Sequence, residues 1–201
     1  MNSVLNEILK VIKQKAIDEK IPIIMDDTLN TISQILHDKK VTRILEIGTA
    51  VGYSAICFSE FLEQDGIIDT IERDEERANE AIENFKKMKL EKKINLYIGD
   101  AVDILPQLNK KYDVVFIDAA KGKYPFFLKE AERMLKTNGI ILADNILYKG
   151  YVMSDYNKHK QRTAVRNLRE YIKEVQEDKR FDTKILEVGD GLAISRKIVN
   201  E

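Results

Sequence analysis

The chain has 201 residues, enough for one well-buried core and short for two, so we expect a single domain over residues 1–201. Its 33 basic and 34 acidic residues give a net charge of −1, which argues against non-specific binding to nucleic acid or membranes. The only cysteine, Cys57, excludes an intrachain disulfide and predicts a reducing, cytoplasmic location, with the thiol acting as a small buried hydrophobe.

Residues 1–40 predict a helical extension that does not cross a membrane. Charged residues interrupt the apolar ones near the N-terminus, so we expect neither a signal peptide nor a membrane span. Helical spacing covers residues 2–19, and a second helix is predicted from Asp26 or Asp27, acting as the N-cap, through Leu36. Between them, the apolar run around Pro22 either packs in the core or lines a pocket or a subunit contact.

From residue 42 onward, strand-like and helical patterns alternate, which predicts an α/β fold with a doubly wound, mostly parallel sheet. A turn tripeptide at 189–191 joins the last two strand-like runs, so the sheet should end in an antiparallel hairpin. The seven predicted strands are residues 43–47, 67–71, 94–98, 113–117, 140–143, 181–188 and 192–196. The predicted helices after the first strand are residues 53–63, 75–89, 101–108, 124–135 and 161–177.

The turns after the first three strands suggest a nucleoside site. Gly48 and Gly52 permit a tight turn, and the helix that follows can offer backbone N–H groups to a carboxylate. The dinucleotide fingerprint and the Walker A motif are both missing, which argues against NAD and ATP as ligands of this turn. Glu72 is placed to accept hydrogen bonds from ribose hydroxyls, with a plain surface acid as the equal alternative, and residues 99–101 would border an adenine. A nucleoside with a carboxylate end suggests S-adenosylmethionine.

The fourth and fifth predicted strands each end in residues that suit a hard metal ion. Asp118 and Lys121 follow one strand, and Asp144 and Asn145 follow the other, at the sheet edge where α/β proteins bind ligands. Two carboxylates and an amide oxygen favour Mg²⁺ over Zn²⁺, because no Cys or His lies near. The alternative is that these residues only cap helices and form turns.

These motifs resemble the metal-dependent O-methyltransferases of the catechol and caffeoyl-CoA type. Within that family the chain is most similar to the bacterial tRNA 5-hydroxyuridine methyltransferases, which make 5-methoxyuridine at the anticodon wobble position. The Asp-Ala-Ala-Lys run at 118–121 and the Asp-Asn pair at 144–145 are more specific than the nucleoside loop. The matching segments span nearly the whole chain and are residues 23–25, 44–55, 70–73, 116–124, 144–150 and 188–192.

The resemblance implies a Rossmann-like methyltransferase fold, S-adenosylmethionine as methyl donor, and Mg²⁺, or else Mn²⁺, as the metal. Asp118, Asp144 and Asn145 would coordinate the metal. Catalysis would use Asp118 and Lys121, with the lysine deprotonating or orienting the acceptor hydroxyl. The cofactor-binding residues would be Met25, Glu46, Gly48, Ala50, Ser54, Glu72, Arg73, Asp100, Ala101 and Asp118.

The acceptor is predicted from the residues that follow the Asp-Asn pair. Basic residues there could contact the phosphates of a tRNA anticodon loop, with Tyr148 or Tyr151 stacking on a flipped base. A solvated helical face is the equal alternative on composition, and a small catechol-like acceptor is the alternative substrate. We favour tRNA, with Lys149, Arg162 and Arg166 as contacts, and a homodimer. The whole basic cluster is Lys149, Lys158, His159, Lys160, Arg162, Arg166 and Arg169.

Two other classes of protein stay open. A non-catalytic S-adenosylmethionine-binding module would need only the first loop and Glu72, and would leave the residues at the ends of the fourth and fifth strands unexplained. A nucleotide-dependent oxidoreductase would share the sheet but should have the three-glycine fingerprint.

Overall fold

The structure, a computed structural model, describes residues 3–155 and 161–198. Within those residues the chain forms seven strands and seven α-helices. The strands are β1 (Val41–Ile47), β2 (Leu62–Glu72), β3 (Ile94–Ile98), β4 (Tyr112–Ile117), β5 (Leu135–Ala143), β6 (Phe181–Leu186) and β7 (Leu192–Lys197). The helices are α1 (Ser3–Asp18), α2 (Asp26–Leu36), α3 (Tyr53–Phe58), α4 (Glu75–Lys87), α5 (Ala101–Ile104), α6 (Tyr124–Met134) and α7 (Arg162–Glu177).

The described strands form one sheet in the order β3-β2-β1-β4-β5-β7-β6. Strand β2 pairs in parallel with β1 and β3, and β4 pairs in parallel with β5. Strand β7 is antiparallel to both β5 and β6. The prediction of a mostly parallel, Rossmann-like sheet that ends in an antiparallel hairpin is therefore confirmed.

The chain divides into two compact units, Met1–Ile104 and Leu105–Glu201. The prediction of one domain over the whole chain stays a prediction. None of the helices in the described parts of the chain has the length and apolar character needed to cross a membrane.

The first unit contains strands β1 to β3 with helices α1 to α5. Apolar residues at the centre of β1, such as Ile44 and Leu45, are fully buried, as expected for an inner parallel strand. Helix α4 begins where Asp74 accepts hydrogen bonds from two backbone N–H groups of the first turn. Its apolar residues Ala78, Ala81 and Phe85 are buried.

Two predictions within this unit are wrong in detail. Helix α2 is capped by Met25 without a side-chain hydrogen bond, and Asp26 and Asp27 lie in its first turn rather than at the N-cap. The helix predicted over residues 53–63 ends at Phe58, passes through a short 3₁₀ turn, and gives way to β2 at Leu62. Leu62 pairs with Val41 across a register shift, and this long-range partner extends the strand.

The second unit contains β4 to β7 with α6 and α7. Proline at the second position of α6 suits a helix start, because the first turn of a helix needs no hydrogen bond from that nitrogen. The hairpin turn between β6 and β7 contains Gly191, which has a φ of 92°. A side chain at Gly191 would collide with Leu147, so glycine is needed both for its backbone conformation and for close packing.

Candidate active site

The turn after β1 is tight and positioned by its glycines. Gly48 and Gly52 both have positive φ angles, of 103° and 82°. A Cβ at Gly52 would collide with the ring of Phe85, so the turn packs directly on α4. The backbone N–H of Gly48 donates to the carbonyl of Ile71 at 3.0 Å, which ties the turn to the end of β2.

Beneath this turn lies a buried chain of hydrogen bonds centred on Glu46, which is 0% exposed. Ser54 donates to one carboxylate oxygen of Glu46 at 2.6 Å, and Thr70 donates to the other at 2.5 Å. The hydroxyls of Thr49 and Thr70 are 2.6 Å apart, and because Thr70 gives its proton to Glu46, Thr49 is the donor. Thr49 and Thr70 are not among the predicted site residues, although both lie within the matching segments.

Glu72 is held in place by the backbone. It is 8% exposed, so the alternative that it is a plain surface acid is wrong. One of its oxygens accepts the N–H of Ala50 at 2.8 Å, and the other accepts the N–H of Asp74 at 2.9 Å. Ala50 itself has a φ of 46°. Each oxygen keeps a further lone pair, so the carboxylate can still accept hydrogen bonds from two hydroxyls.

The other predicted cofactor residues of the first unit lie around the strand ends. Asp100 accepts the N–H of Val102 at 2.9 Å and so begins α5, whose first residue, Ala101, is buried. Arg73 is exposed, and Met25 is 51% exposed. The structure thus brings Glu46 together with Ser54, and Ala50 with Glu72, while contacts of all these residues with a cofactor stay a prediction.

In the second unit, Asp118 and Asp144 leave the sheet side by side. Strands β4 and β5 are parallel, and Ile117 is paired with Ala143, so the next residue of each strand is one of the two carboxylates. The N–H of Asp144 donates to the carbonyl of Ile117 at 3.0 Å. Parallel pairing in this register is what the sequence prediction required.

The environment of these two carboxylates favours a cation. Asp144 is 1% exposed; burial, followed by the charge of Asp118, raises its pKa to about 7. Burial also raises the pKa of Asp118, and the nearby charge of Lys121 opposes that shift. Neighbouring carboxylates whose pKa values are raised in this way are stabilised by a positive charge, which a divalent ion can supply.

Lys121 and Asn145 complete the group. The lysine ammonium donates to the side-chain oxygen of Asn145 at 2.8 Å and lies 5.6 Å from the centre of the Tyr148 ring. The N–H of Asn145 donates to Asp144 at 2.7 Å. Asn145, Tyr148 and Lys149 all have positive φ angles, which marks a strained turn of the kind that proteins keep at functional sites.

This donor set fits Mg²⁺ by its chemistry. Asp118, Asp144 and Asn145 offer two carboxylates and one amide oxygen, the hard ligands that Mg²⁺ prefers. Over the residues that the structure describes, no group of three or more His, Cys, Asp or Glu side chains could hold a metal. The candidate site would therefore depend on the amide of Asn145 as its third protein ligand.

The predicted nucleic-acid contacts lie partly within the described residues. Lys149, Arg162 and Arg166 are exposed. Arg169 donates instead to the backbone carbonyls of Val152 at 2.9 Å and Tyr151 at 3.2 Å, and also to that of Ser154, so it anchors the turn before α7. The remaining predicted members, Lys158, His159 and Lys160, lie outside the described residues.

A further anchor on α7 was not predicted. The side-chain amide of Asn167 donates to the carbonyl of Gly122 at 2.5 Å and so fixes the turn that carries Lys121.

Cys57 is buried as predicted. Burial raises the pKa of its thiol to about 12, which suits an inert core residue.

Comparison with known proteins identifies the family. The O-methyltransferase family profile matches residues 39–198. A catechol O-methyltransferase from Niastella koreensis is 31% identical over 176 residues, covering 83% of this chain and 77% of that protein. A crystal structure from Staphylococcus aureus, provisionally assigned as a caffeoyl-CoA O-methyltransferase, is 32% identical with a TM-score of 0.87, covering 94% of this chain and 91% of that one. An O-methyltransferase from Bacillus cereus, solved in complex with SAH, is 26% identical with a TM-score of 0.80, covering 98% and 91%.

The fold and these likenesses define an O-methyltransferase. The chain belongs to the O-methyltransferase family and is of the caffeoyl-CoA and catechol type. The predicted family and enzyme class are therefore confirmed, and S-adenosylmethionine as the methyl donor stays a prediction. The metal, the tRNA substrate, the partners and the roles of single residues stay predictions.

Proposed function

We propose that this O-methyltransferase depends on Mg²⁺ and methylates 5-hydroxyuridine at the anticodon wobble position of tRNA. The metal dependence is supported by the group of Asp118, Asp144 and Asn145 beside Lys121. The tRNA substrate is supported by exposed cations in the same unit, at Lys149 and at the start of α7.

The chemistry requires an acceptor oxygen that is ionised and held in line with the methyl group. Asp118, Asp144 and Asn145 would hold a divalent cation, which when bound would supply positive charge that favours the ionised form of a nearby hydroxyl. Lys121, fixed by its hydrogen bond to Asn145, adds a second positive charge and a group that can exchange a proton with the acceptor.

The remaining residues of the candidate site would bind and orient the cofactor and the acceptor. Glu72, with a free lone pair on each oxygen, would accept the ribose hydroxyls of S-adenosylmethionine. The turn containing Gly48, Ala50 and Ser54 would receive its methionine part. Tyr148, whose ring already faces the lysine ammonium, offers an aromatic surface on which a base or a catechol ring can stack.

Binding of tRNA would rest on the phosphate backbone. Lys149 follows Tyr148 directly, and Arg162 and Arg166 lie one turn apart on α7. Such cations position an RNA loop without reading its bases, and an unpaired wobble base can then be turned outward for reaction.

A small catechol-like acceptor is the second candidate. It is favoured by the 31% identical relative, which is named a catechol O-methyltransferase, and by the near-neutral net charge of −1. Catechols and 5-hydroxyuridine both carry two adjacent oxygens, so the donor set by itself serves either class.

The deciding experiment measures methyl transfer from labelled S-adenosylmethionine to tRNA containing 5-hydroxyuridine and, separately, to a simple catechol, each with Mg²⁺ and with EDTA. EDTA-sensitive labelling of the tRNA with little labelling of the catechol supports the proposal. Labelling of catechol alone would keep the enzyme class and reject the tRNA. Asp144→Asn should abolish transfer, and Asp155→Asn, a matched change at an exposed site, should leave it intact.

We also propose that the enzyme is a homodimer. Val4, Val11 and Ile17 on α1, together with Met25, are all more than half exposed, and a subunit contact at this segment would cover them. Light scattering tests this, and a monodisperse monomer would reject it. A cytoplasmic location likewise stays a prediction.

A further inference from the structure

The hydroxyl of Tyr124 lies where the two candidate metal-binding carboxylates leave the sheet. It donates to the backbone carbonyl of Asp144 at 2.7 Å and, more weakly, to that of Ile117 at 3.3 Å. Ile117 directly precedes Asp118. One side chain therefore bonds to the backbone at the ends of both β4 and β5, next to the residues that carry the carboxylates.

The ring of Tyr124 has little freedom. The residue is 0% exposed and begins α6. Its ring meets that of Tyr171 edge to face, with centroids 5.6 Å apart and planes at 81°. The centroid of the Phe127 ring lies 6.3 Å from that of Tyr124, with the planes at 56°. The hydroxyl is thus held at a fixed point relative to the two strand ends.

The hydroxyl also stays a donor. Burial, followed by the charges of Asp118 and Asp144, raises the pKa of Tyr124 well above its usual value. Both of its partners are carbonyl oxygens, which can only accept. The Tyr124 hydroxyl is therefore the donor in both hydrogen bonds that join it to the strand ends.

We infer that Tyr124 is a positioning residue that fixes Asp118 relative to Asp144 and thereby sets the affinity of the site for a divalent cation. This rests on the proposed metal dependence and extends it to a residue that does not touch the metal. The physical reason is that two neighbouring carboxylates, one of them buried, repel each other, so a site left to relax would move them apart. Groups behind the ligands then influence metal affinity, by about 10- to 100-fold where this has been measured in other proteins.

The test is Mn²⁺ binding, followed by electron paramagnetic resonance of the free ion, without cofactor or acceptor. Tyr124→Phe keeps the ring and its packing and removes only the hydroxyl. We expect its Kd for Mn²⁺ to rise by about tenfold or more. The matched control is Tyr171→Phe, which also removes the hydroxyl of a fully buried tyrosine and should bind Mn²⁺ like the wild type.

Thermal unfolding in EDTA separates positioning from general damage. Binding is compared at a temperature at which circular dichroism shows every variant folded. A lower melting temperature of Tyr124→Phe then does not affect the Kd measured for Mn²⁺. An unchanged Kd for Tyr124→Phe, or an equal rise in Tyr171→Phe, would overturn the inference while leaving the proposed function intact. Absence of Mn²⁺ binding by the wild type, with Asp144→Asn as the reference for a lost site, would overturn both.

Discussion

Thr70 donates its hydroxyl hydrogen to the carboxylate of Glu46 at 2.5 Å in the fully buried layer beneath the turn after β1. A buried carboxylate needs its hydrogen-bond donors, because an unsatisfied charge away from water is costly. One carboxylate oxygen of Glu46 accepts the hydrogen bond from Thr70, and the other accepts one from Ser54. The turn that is proposed to receive the cofactor therefore depends on side chains that would not touch it.

Thr70→Val removes this donor while keeping the shape of the side chain. We expect a loss of about 1–3 kcal/mol in the free energy of unfolding and a weaker affinity for S-adenosylmethionine. Urea unfolding and calorimetric titration measure the two effects. Thr70→Ser, which keeps the hydroxyl, should recover most of the affinity; a Thr70→Val protein with wild-type affinity would show that the layer does not support the turn.

The raised pKa of Asp144 predicts how stability changes with pH in EDTA. The unfolded carboxyl ionises near pH 4 and the folded one near pH 7, so between these values the unfolded state holds fewer protons. Stability should therefore fall as pH rises from about 4 to about 7, by an amount on the order of a few kcal/mol. Asp144→Asn cannot titrate there and should show a shallower fall in urea unfolding. Parallel curves for the two proteins would contradict the shift.

Removal of two exposed cations from the start of α7 tests the proposed RNA contact. Arg162→Ala combined with Arg166→Ala should raise the KM for tRNA and lower its salt dependence by about one logarithmic slope unit for each phosphate that the variant no longer neutralises. Methylation of a catechol should be unaffected. Lys173→Ala removes an exposed cation further along the same helix and serves as the control; an equal effect there would point to net charge alone.

Gly191→Ala should destabilise the protein through one identifiable collision. The added methyl group would meet Leu147, and the φ of 92° is unfavourable for any L side chain. Gly150→Ala is a matched control, because Gly150 also has a positive φ, of 75°, but has nothing within 4 Å of the added carbon. The difference in unfolding free energy between the two variants isolates the collision, expected at about 1–3 kcal/mol. Equal losses would mean that backbone conformation alone requires glycine.

The sequence predicts the sheet well because the buried parallel strands are short apolar runs with polar residues at their ends. The same feature locates Asp118 and Asp144, since register brings the ends of β4 and β5 together. Element boundaries were predicted less well where they depend on a distant partner. Strand β2 starts at Leu62 only because Val41 pairs with it.

The residues that support the site were not predictable in the same way. Tyr124, Asn167 and Arg169 all donate to backbone carbonyls far away in sequence. A carbonyl is present at every position, so such a contact leaves no pattern of residue types to recognise. Only the folded path of the chain shows which carbonyls are within reach.

The contacts of Arg169 have a consequence for how the enzyme can change. This arginine donates hydrogen bonds to backbone carbonyls of the turn at residues 151–154. Those carbonyl oxygens are present whichever side chains the turn carries. Substitutions at the exposed positions of the turn, Met153 and Ser154, can therefore change the side chains that the turn presents while its path is preserved. The arrangement separates the contacts that hold the turn from the side chains that it exposes, so this part of the surface can change without a change in the backbone that carries it.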